Sequence, residues 1–103
     1  MTGSAAFGGG DAYRPRRDVR FRRIGEEAVV VRQEAPEVLV LNPVGARVLE
    51  LLAGGEPLDA VGAKLAAEFE VAPAAAAADA RAFAAELESA GVIEPAPETE
   101  TGP

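Results

Sequence analysis

The spacing of apolar residues changes along the chain from alternation, through a continuous apolar run, to helical periodicity. Residues 19–24, VRFRRI, alternate apolar residues with arginines, as half-exposed strands do. Residues 28–31, AVVV, follow a turn signal at Gly25, and residues 37–41, EVLVL, form a third short apolar run. Because consecutive strands usually pair, these segments predict a three-stranded antiparallel meander.

Helical periodicity begins directly after the third run. Asn42 is a favoured N-cap residue, and Pro43 suits the first helical position because its missing N–H would be unpaired there anyway. Gly54 and Gly55 are typical of a helix C-terminus. The sequence therefore predicts that a helix follows the third strand with no loop between them.

Two further helices are predicted to start at Pro57 and Pro73. The 3–4 spacing of a buried stripe is met by Leu58, Val61, Leu65 and Phe69 in the first, and by Ala76, Ala80, Phe83, Leu87 and Ala90 in the second. The alanine-rich stretch is read as helix because alanine is the strongest helix former. Gly91 is predicted to end this helix and to turn Val92 and Ile93 back onto it.

The predicted order is three strands followed by three helices, an α+β domain over residues 17–94. Residues 1–16 are Gly-rich and residues 95–103 are Pro-rich and acidic. Such compositions bury too little apolar surface to order themselves, so both ends are expected to be disordered tails.

Composition removes several kinds of chemistry. The chain has no cysteine and no histidine, so disulfides, thiolate metal sites and a histidine base are excluded. Ser4 and Ser89 have no base to activate them, and we predict neither an enzyme nor a cofactor. No apolar stretch approaches a membrane span and no signal peptide is recognisable, so a cytoplasmic protein without membrane association is expected.

Charge is distributed unevenly along the chain. The net charge is −7, yet residues 14–23 contain six arginines and a single carboxylate, Asp18. From Glu37 onward there are three basic and twelve acidic residues. The arginines are either ordinary solvated charges on a strand or a device that steers an acidic partner.

The third strand is apolar on both faces, which leaves two interpretations open. Val38 and Val40 point to one side of the sheet, and Leu39 and Leu41 to the other. Either both faces are buried, by helices or by a dimer partner, or the strand lies at an open edge beside an apolar groove, where an extended peptide can add as a new strand. Alanines 77, 84 and 85 either leave shallow space for a guest beside Phe83 and Leu87 or reflect only an alanine-rich composition.

The segment from the third strand onward resembles the PqqD family. The resemblance runs through LNPVGARVLELLAGG, PLDAVGAKLAAEF and ADARAFAAELESAGVI, and it covers about residues 19–94. The positions that carry it are Leu41, Asn42, Gly45, residues 49–52, Gly55, Leu65, Phe69, Asp79, Phe83, Leu87, Gly91, Val92 and Ile93. It implies a winged-helix-like fold that serves as a stand-alone recognition element and peptide chaperone for ribosomally synthesised, post-translationally modified peptides.

The resemblance further implies that the leader of a precursor peptide adds alongside the third strand, in a cleft closed by the third helix. The implied peptide-binding residues are Glu37, Val38, Leu39, Val40, Leu41, Asp79, Phe83, Ala84 and Leu87. The implied second partner is a modifying enzyme, such as a radical SAM enzyme or a leader peptidase. The pathway stays open between pyrroloquinoline quinone, lasso peptides and other products.

Two other functions compete with this one. A winged-helix topology permits nucleic-acid binding, but the third helix carries Asp79, Glu86 and Glu88 against Arg81, a surface that should repel phosphates. An apolar edge strand also permits self-association, so a homodimer is possible beside peptide binding.

Overall fold

The computed structural model describes residues 12–35 and 37–96, and these form two small sheets and three helices. The strands are β1 (Tyr13–Pro15), β2 (Val19–Ile24), β3 (Glu27–Arg32), β4 (Glu37–Leu41) and β5 (Ile93–Pro95). The helices are α1 (Pro43–Ala53), α2 (Leu58–Phe69) and α3 (Pro73–Ser89). The predicted α+β fold, an antiparallel meander followed by three helices, is confirmed.

The main sheet has the order β2-β3-β4, with all pairs antiparallel. A two-residue turn at Gly25 and Glu26 joins β2 to β3, and Gly25 takes the positive φ of 65° that such a turn needs. Val19 and Val30 on its inner face are buried against the helices. The sheet is therefore a single layer covered on one face.

The core lies between this inner face and the three helices. Its largest fully buried side chains are Leu49, Leu52, Ile93, Val30, Val48, Val61 and Val92. Of these, Val92 and Ile93 come from the segment after α3, which turns back at Gly91 (φ +80°) as predicted. The Val92 N–H donates to the Leu87 carbonyl at 2.8 Å, so the turn closes onto the helix it ends.

The start of α1 matches the sequence prediction closely. Asn42 is the N-cap, and its Oδ1 accepts a hydrogen bond from the Gly45 N–H at 2.8 Å. Pro43 occupies the first helical position. Since Leu41 ends β4 and Asn42 is the one residue between the two elements, the strand and α1 are held in a defined relation.

The alanine-rich helix α3 packs closely against α2. A Cβ atom added at Gly62 would lie 3.1 Å from the Cα of Ala77, closer than side chains normally approach. Ala76, Ala80 and Ala84 are almost completely buried in the same helix. The alanines are thus core residues that allow two helices to approach, because a small side chain brings backbones together.

Two helix predictions need correction. α2 begins at Leu58, not at Pro57, because Pro57 is extended (ψ 159°) and acts as the N-cap, with its carbonyl accepting from the Val61 N–H at 3.0 Å. Phe69, predicted to be buried, is 37% exposed. It is the last residue of α2, and the chain leaves the core at Glu70, which has a left-handed backbone.

The small sheet of β1 and β5 lies outside the sequence prediction. Tyr13 pairs with Pro95 and Pro15 with Ile93. The sequence predicts residues 13–15 to be part of the disordered N-terminal tail. They are ordered because they pair with β5, and nothing in their own sequence predicts this pairing. The remainder of the predicted tails, residues 1–11 and 97–103, lies outside the described residues.

Asp18 connects the β1–β2 turn to the start of β4. This carboxylate is buried, with Arg32 Nε at 3.6 Å and Arg16 Nε at 3.8 Å. The Asp18 carbonyl accepts from the Gln33 N–H at 2.7 Å, and its side chain accepts from the Glu34 N–H at 3.3 Å. Because Gln33 and Glu34 belong to the turn that leads into β4, Asp18 fixes how that strand enters the sheet.

Arg47 ties α1 to α2 on the surface. Its Nε and Nη2 atoms donate to the two carboxylate oxygens of Glu68 at 2.8 Å and 2.9 Å, and its Nη1 donates to Glu50 at 3.1 Å. The hydrogen bonds from Arg47 hold the pKa of Glu68 below its usual value, and those to Glu68 and Glu50 raise the pKa of Arg47.

No helix among residues 12–35 and 37–96 is long and apolar enough to cross a membrane.

Replacing Gly62 with leucine is expected to destabilise the domain by about 1–3 kcal/mol, because the new side chain would meet the Ala77 backbone and push α2 away from α3. Urea unfolding followed by circular dichroism measures this. Ala63→Leu is the matched control, since Ala63 is the exposed neighbour in the same helix. Equal stability of the two variants would contradict close packing at Gly62.

Replacing Glu68 with glutamine is expected to reduce the acid sensitivity of the fold. The pKa of Glu68 is lowered in the folded state, so its stabilisation is present above the unfolded-state pKa of about 4.3 and is lost as pH falls through the folded-state value. The pair is half-exposed, so the effect should stay below about 1 kcal/mol. Unfolding curves at neutral and acidic pH measure it, with Glu88→Gln as the control. A Glu68→Gln variant with the parent's pH profile would argue against the pair.

Candidate functional site

β4 forms one edge of the main sheet, and no described strand pairs with its outer side. Its inner side pairs with β3 from Arg32 opposite Glu37 to Ala28 opposite Leu41. An edge strand presents a row of backbone N–H and C=O groups that can pair with another chain. The open edge, one of the two interpretations of this strand, is thus present in the described part of the chain.

The register determines which backbone groups face the free side. Ile24 and Glu27 close the two-residue hairpin and therefore form a hydrogen-bonded pair. Bonded and non-bonded pairs alternate along antiparallel strands, and a residue bonded on one side of β3 is not bonded on the other. Counting along the register, Leu39 and Leu41 bond to β3, and Val38 and Val40 direct their N–H and C=O groups outward.

The two faces of β4 differ strongly in exposure. Val38 is 63% exposed and Val40 is 64% exposed, whereas Leu39 and Leu41 are partly buried and pack against the core. The alternative in which both faces are buried as core is therefore wrong for the single chain. Three helices cover one face of this sheet, and the outer face carries no described element.

Helix α3 is tied to one end of β4 through Phe83. Gly45, in the first turn of α1, lies against the Phe83 ring, and a Cβ atom there would be 2.9 Å from the Phe83 Cε1 atom. Gly45 follows the last residue of β4 by four positions and is itself fixed by the Asn42 cap. Phe83, which is partly buried, is thereby placed beside the C-terminal end of the strand.

A second tie joins the other ends through Arg32. The Arg32 Nη1 donates to the Ala90 carbonyl at 3.3 Å, directly after α3, and lies 3.8 Å from a carboxylate oxygen of Glu37 at the start of β4. Gly91 accommodates the guanidinium, since a Cβ atom there would be 2.8 Å from Nη1. Phe83, through Gly45, and Ala90, through Arg32, therefore place the end of α3 on the side of the sheet that carries β4, with the helix pointing opposite to the strand.

One flank of α3 borders the free edge of the strand. Asp79, Phe83, Glu86 and Ala90 follow each other at spacings of three or four residues and so share one side of the helix. Phe83 and Ala90 are partly buried, and Asp79 and Glu86 are exposed. We use the name β4–α3 groove for the space between this flank and Leu39 and Leu41 of β4, which the Phe83 and Arg32 contacts bound at its two ends.

The structure divides the residues that the sequence placed at this site. Glu37, Val38, Val40 and Asp79 are exposed, and Leu39, Leu41 and Phe83 are partly buried, so these seven present surface on β4 and α3. Ala84 and Leu87 are only 2% and 3% exposed and belong to the core cluster, so they support the groove from behind without presenting surface. Ala77 is exposed, and its backbone lies against Gly62 of α2, away from β4.

Sequence reasoning missed Glu86 and Ala90 as groove residues. Both lie at helical spacing from Phe83, so the pattern contained the information. Of the predicted buried stripe, Ala76, Ala80 and Leu87 are buried, and Ala84 completes the observed stripe. Phe83 and Ala90 are only partly buried and lie at the edge of the helix face that packs on the core.

Three solved structures share this fold. One is described as "TbiB1 in Complex with the TbiA(beta) Leader Peptide", with a TM-score of 0.74, 23% identity, and coverage of 79% of this chain and 94% of that chain. A second, "Lasso peptide synthetase B1 complexed with the leader peptide", has a TM-score of 0.73 and 24% identity, and covers 81% and 98%.

The third is the solution structure of the PqqD truncation of Methylobacterium extorquens PqqCD, described as a functional and stand-alone recognition element for ribosomally synthesised and post-translationally modified peptides. It has a TM-score of 0.68 and 26% identity, and the match covers 84% of this chain and 92% of that chain. A search of curated proteins finds no match to the sequence.

The family model for "Coenzyme PQQ synthesis protein D (PqqD)" matches residues 27–93. The matched span begins with β3 and ends at the first residue of β5, so it includes β4, all of α3 and both ties between them. The predicted resemblance is confirmed: this chain belongs to the PqqD family.

Proposed function

We propose that this protein binds the leader segment of a ribosomally synthesised precursor peptide by strand addition at β4 and presents it to a modifying enzyme. The observation that carries the proposal is that no described strand pairs with the outer edge of β4, on the side where Phe83 and Ala90 of the α3 region lie. An open strand edge supplies hydrogen bonds that any extended peptide can use, and the groove beside it supplies selectivity.

The register specifies how a guest strand is held. The outward N–H and C=O groups of Val38 and Val40 bond to the guest backbone. Guest residues opposite Leu39 and Leu41 then direct their side chains to the inner face, toward Phe83. Alternate guest residues are therefore read by the groove, and the residues between them face solvent with Val38 and Val40.

The comparisons support this assignment from outside the chain. Two of the fold relatives are described as complexes with leader peptides, and the Methylobacterium extorquens relative is described as a recognition element. Affinity should be moderate, because ordering a flexible leader costs free energy that the new strand pairing must offset.

We extend the proposal to the partner that receives the bound leader. The role is binding, and the covalent chemistry on the precursor belongs to a separate maturase, such as a radical SAM enzyme or a leader peptidase. We place this step in the cytoplasm, where a ribosomal precursor is first available. A bound leader occupies the groove side of the sheet and leaves the outer face, with Val29 and Val31, accessible to a second protein.

The same outer face makes a homodimer the second state that we propose. Ile24, Val31, Val38 and Val40 are 40–64% exposed on this side of the sheet. Contiguous exposed apolar residues are typical of interaction surfaces. Light scattering on the chain with and without bound peptide tests this. A strict monomer at high concentration would remove the dimer and leave peptide binding untouched.

Backbone amide shifts provide the direct test of strand addition. The probes are the leader segments of short peptides encoded beside the gene, titrated into isotope-labelled protein. We expect shifts concentrated at residues 37–41 and along the 79–90 part of α3. Shifts centred on β2, or none with any of these leaders, would contradict the proposal.

Replacing Val40 with proline is expected to weaken leader binding by about fivefold or more, because it removes an outward N–H that donates to the guest backbone. Fluorescence anisotropy of a labelled leader measures the affinity. Val40→Thr is the matched control, since it keeps the N–H and a β-branched side chain. Proline at an edge position with its N–H side free costs no bond to β3, so circular dichroism should show a folded variant.

A chemically modified leader tests the same main-chain pairing without any change to the protein. Leaders N-methylated at residues that pair with Val38 and Val40 should lose affinity, and leaders methylated at the residues between them should retain it. Equal tolerance at all positions would argue against main-chain pairing at this edge.

Nucleic-acid binding is not expected. The exposed side of α3 carries Asp79, Glu86 and Glu88 with a single cation, Arg81. Such a helix should repel a phosphate backbone. A gel shift at low salt measures this, and a shifted band would reopen the alternative.

A further inference from the structure

The charges around the β4–α3 groove have one sign. Asp79 and Glu86 are exposed on the α3 flank, and neither forms an ion pair with any described residue. Glu37 adds a third carboxylate at the strand side, where it is 55% exposed. The groove is thus bordered by carboxylates on both sides and lined by apolar residues between them.

The cations near the groove are already engaged. Arg32 is the basic residue at the end of the groove, and its guanidinium contacts Asp18, Glu37 and the Ala90 carbonyl. Its side chain is only 20% exposed. Arg81 lies on the opposite flank of α3 by helical spacing from Phe83. A guest in the groove therefore meets two carboxylates that no described cation neutralises.

The second free edge of the sheet has the opposite character. β2 is also an edge strand among the described residues, and its exposed Arg20 and Arg22 form no ion pair with a described carboxylate. Arg20 instead donates to the backbone carbonyls of Arg17 and Val19 at 3.0 Å and 2.9 Å. The two open edges of one sheet therefore differ in charge, positive at β2 and negative at β4.

We infer that the groove selects leader segments with lysine or arginine among the side chains that point into it, beside the apolar residue that packs on Phe83. This inference rests on the proposed function and adds the class of peptide. A basic guest is attracted at β4 and repelled at β2, so charge also determines which of the two edges is extended. An acidic leader meets the reverse arrangement and binds in the groove more weakly than a basic one.

The positions of the carboxylates make the pattern specific. Glu86 lies one turn beyond Phe83 toward the Arg32 tie, and Asp79 lies one turn before it. An inward guest residue near Leu41 meets Phe83, the next inward residue along β4 comes toward Glu86, and the inward residue beyond the end of the strand comes toward Asp79. The preferred leader thus has an apolar anchor flanked by basic residues at alternate positions.

The size of the effect follows from exposure. Each half-exposed ion pair should change the affinity by about two- to fivefold at low salt. Screening weakens it as salt is raised, whereas main-chain pairing and apolar contacts persist. We therefore expect the preference for basic leaders to fall as salt is raised, while leader binding itself persists.

The test is a selection from a display library of random peptides long enough to cover β4, carried out in parallel on four forms of the chain. These are the parent, Val40→Pro, Asp79→Asn with Glu86→Gln, and the charge-matched control Glu26→Gln with Glu88→Gln. Glu26 lies in the β2–β3 turn and Glu88 on the far flank of α3, so the control removes equal charge away from the groove.

The expected result is enrichment of lysine and arginine on the parent and the control, and its loss on the Asp79→Asn, Glu86→Gln form. Enrichment on the parent without a basic preference, or a preference that the groove variant retains, would overturn charge selection and leave strand addition standing. Recovery of the same peptides by the parent and Val40→Pro would instead overturn strand addition, and charge selection with it.

Discussion

One feature of this domain determines the rest of its proposed role: the outward N–H and C=O groups of β4 have no partner strand among the described residues. A buried backbone group must be paired, and an exposed one can be paired by water or by another chain. Here the free edge is not isolated in solvent, because Phe83 and Arg32 hold α3 alongside it. The strand edge supplies backbone bonds and the helix supplies side-chain surface, which neither element could offer alone.

The two ties act at opposite ends and by different physics. At the Phe83 end, contact depends on a missing side chain, because Gly45 leaves room for the ring. At the Arg32 end, it depends on a guanidinium shared between a helix-terminal carbonyl and a strand carboxylate. Since Asp18 holds the same guanidinium, the β1–β2 turn also contributes to the geometry of the groove. Residues far apart in the chain thus together determine the width of the β4–α3 groove.

The alanines of α3 have a packing role that the alanine-rich composition alone does not indicate. Small side chains at the α2 contact allow the helices to approach at Gly62, which places the larger Phe83 on the remaining flank. The helix is therefore divided by packing into a core side, a contact side and a groove side. Its charged residues fall on the sides that packing leaves exposed, and this is why carboxylates border the groove.

The strands, the capped start of α1 and the glycine turn after α3 were determined by local sequence, because turn residues and apolar spacing act over a few neighbours. The burial of Phe69, the β1–β5 pairing and the edge position of Phe83 and Ala90 were not, because each depends on a partner distant in the chain. The apolar run of β4 favoured a strand buried on both faces over an open edge, because short apolar runs are most often core. Only the tertiary structure decided between them, since the count of pairing partners on each side of a strand is a property of the assembled sheet.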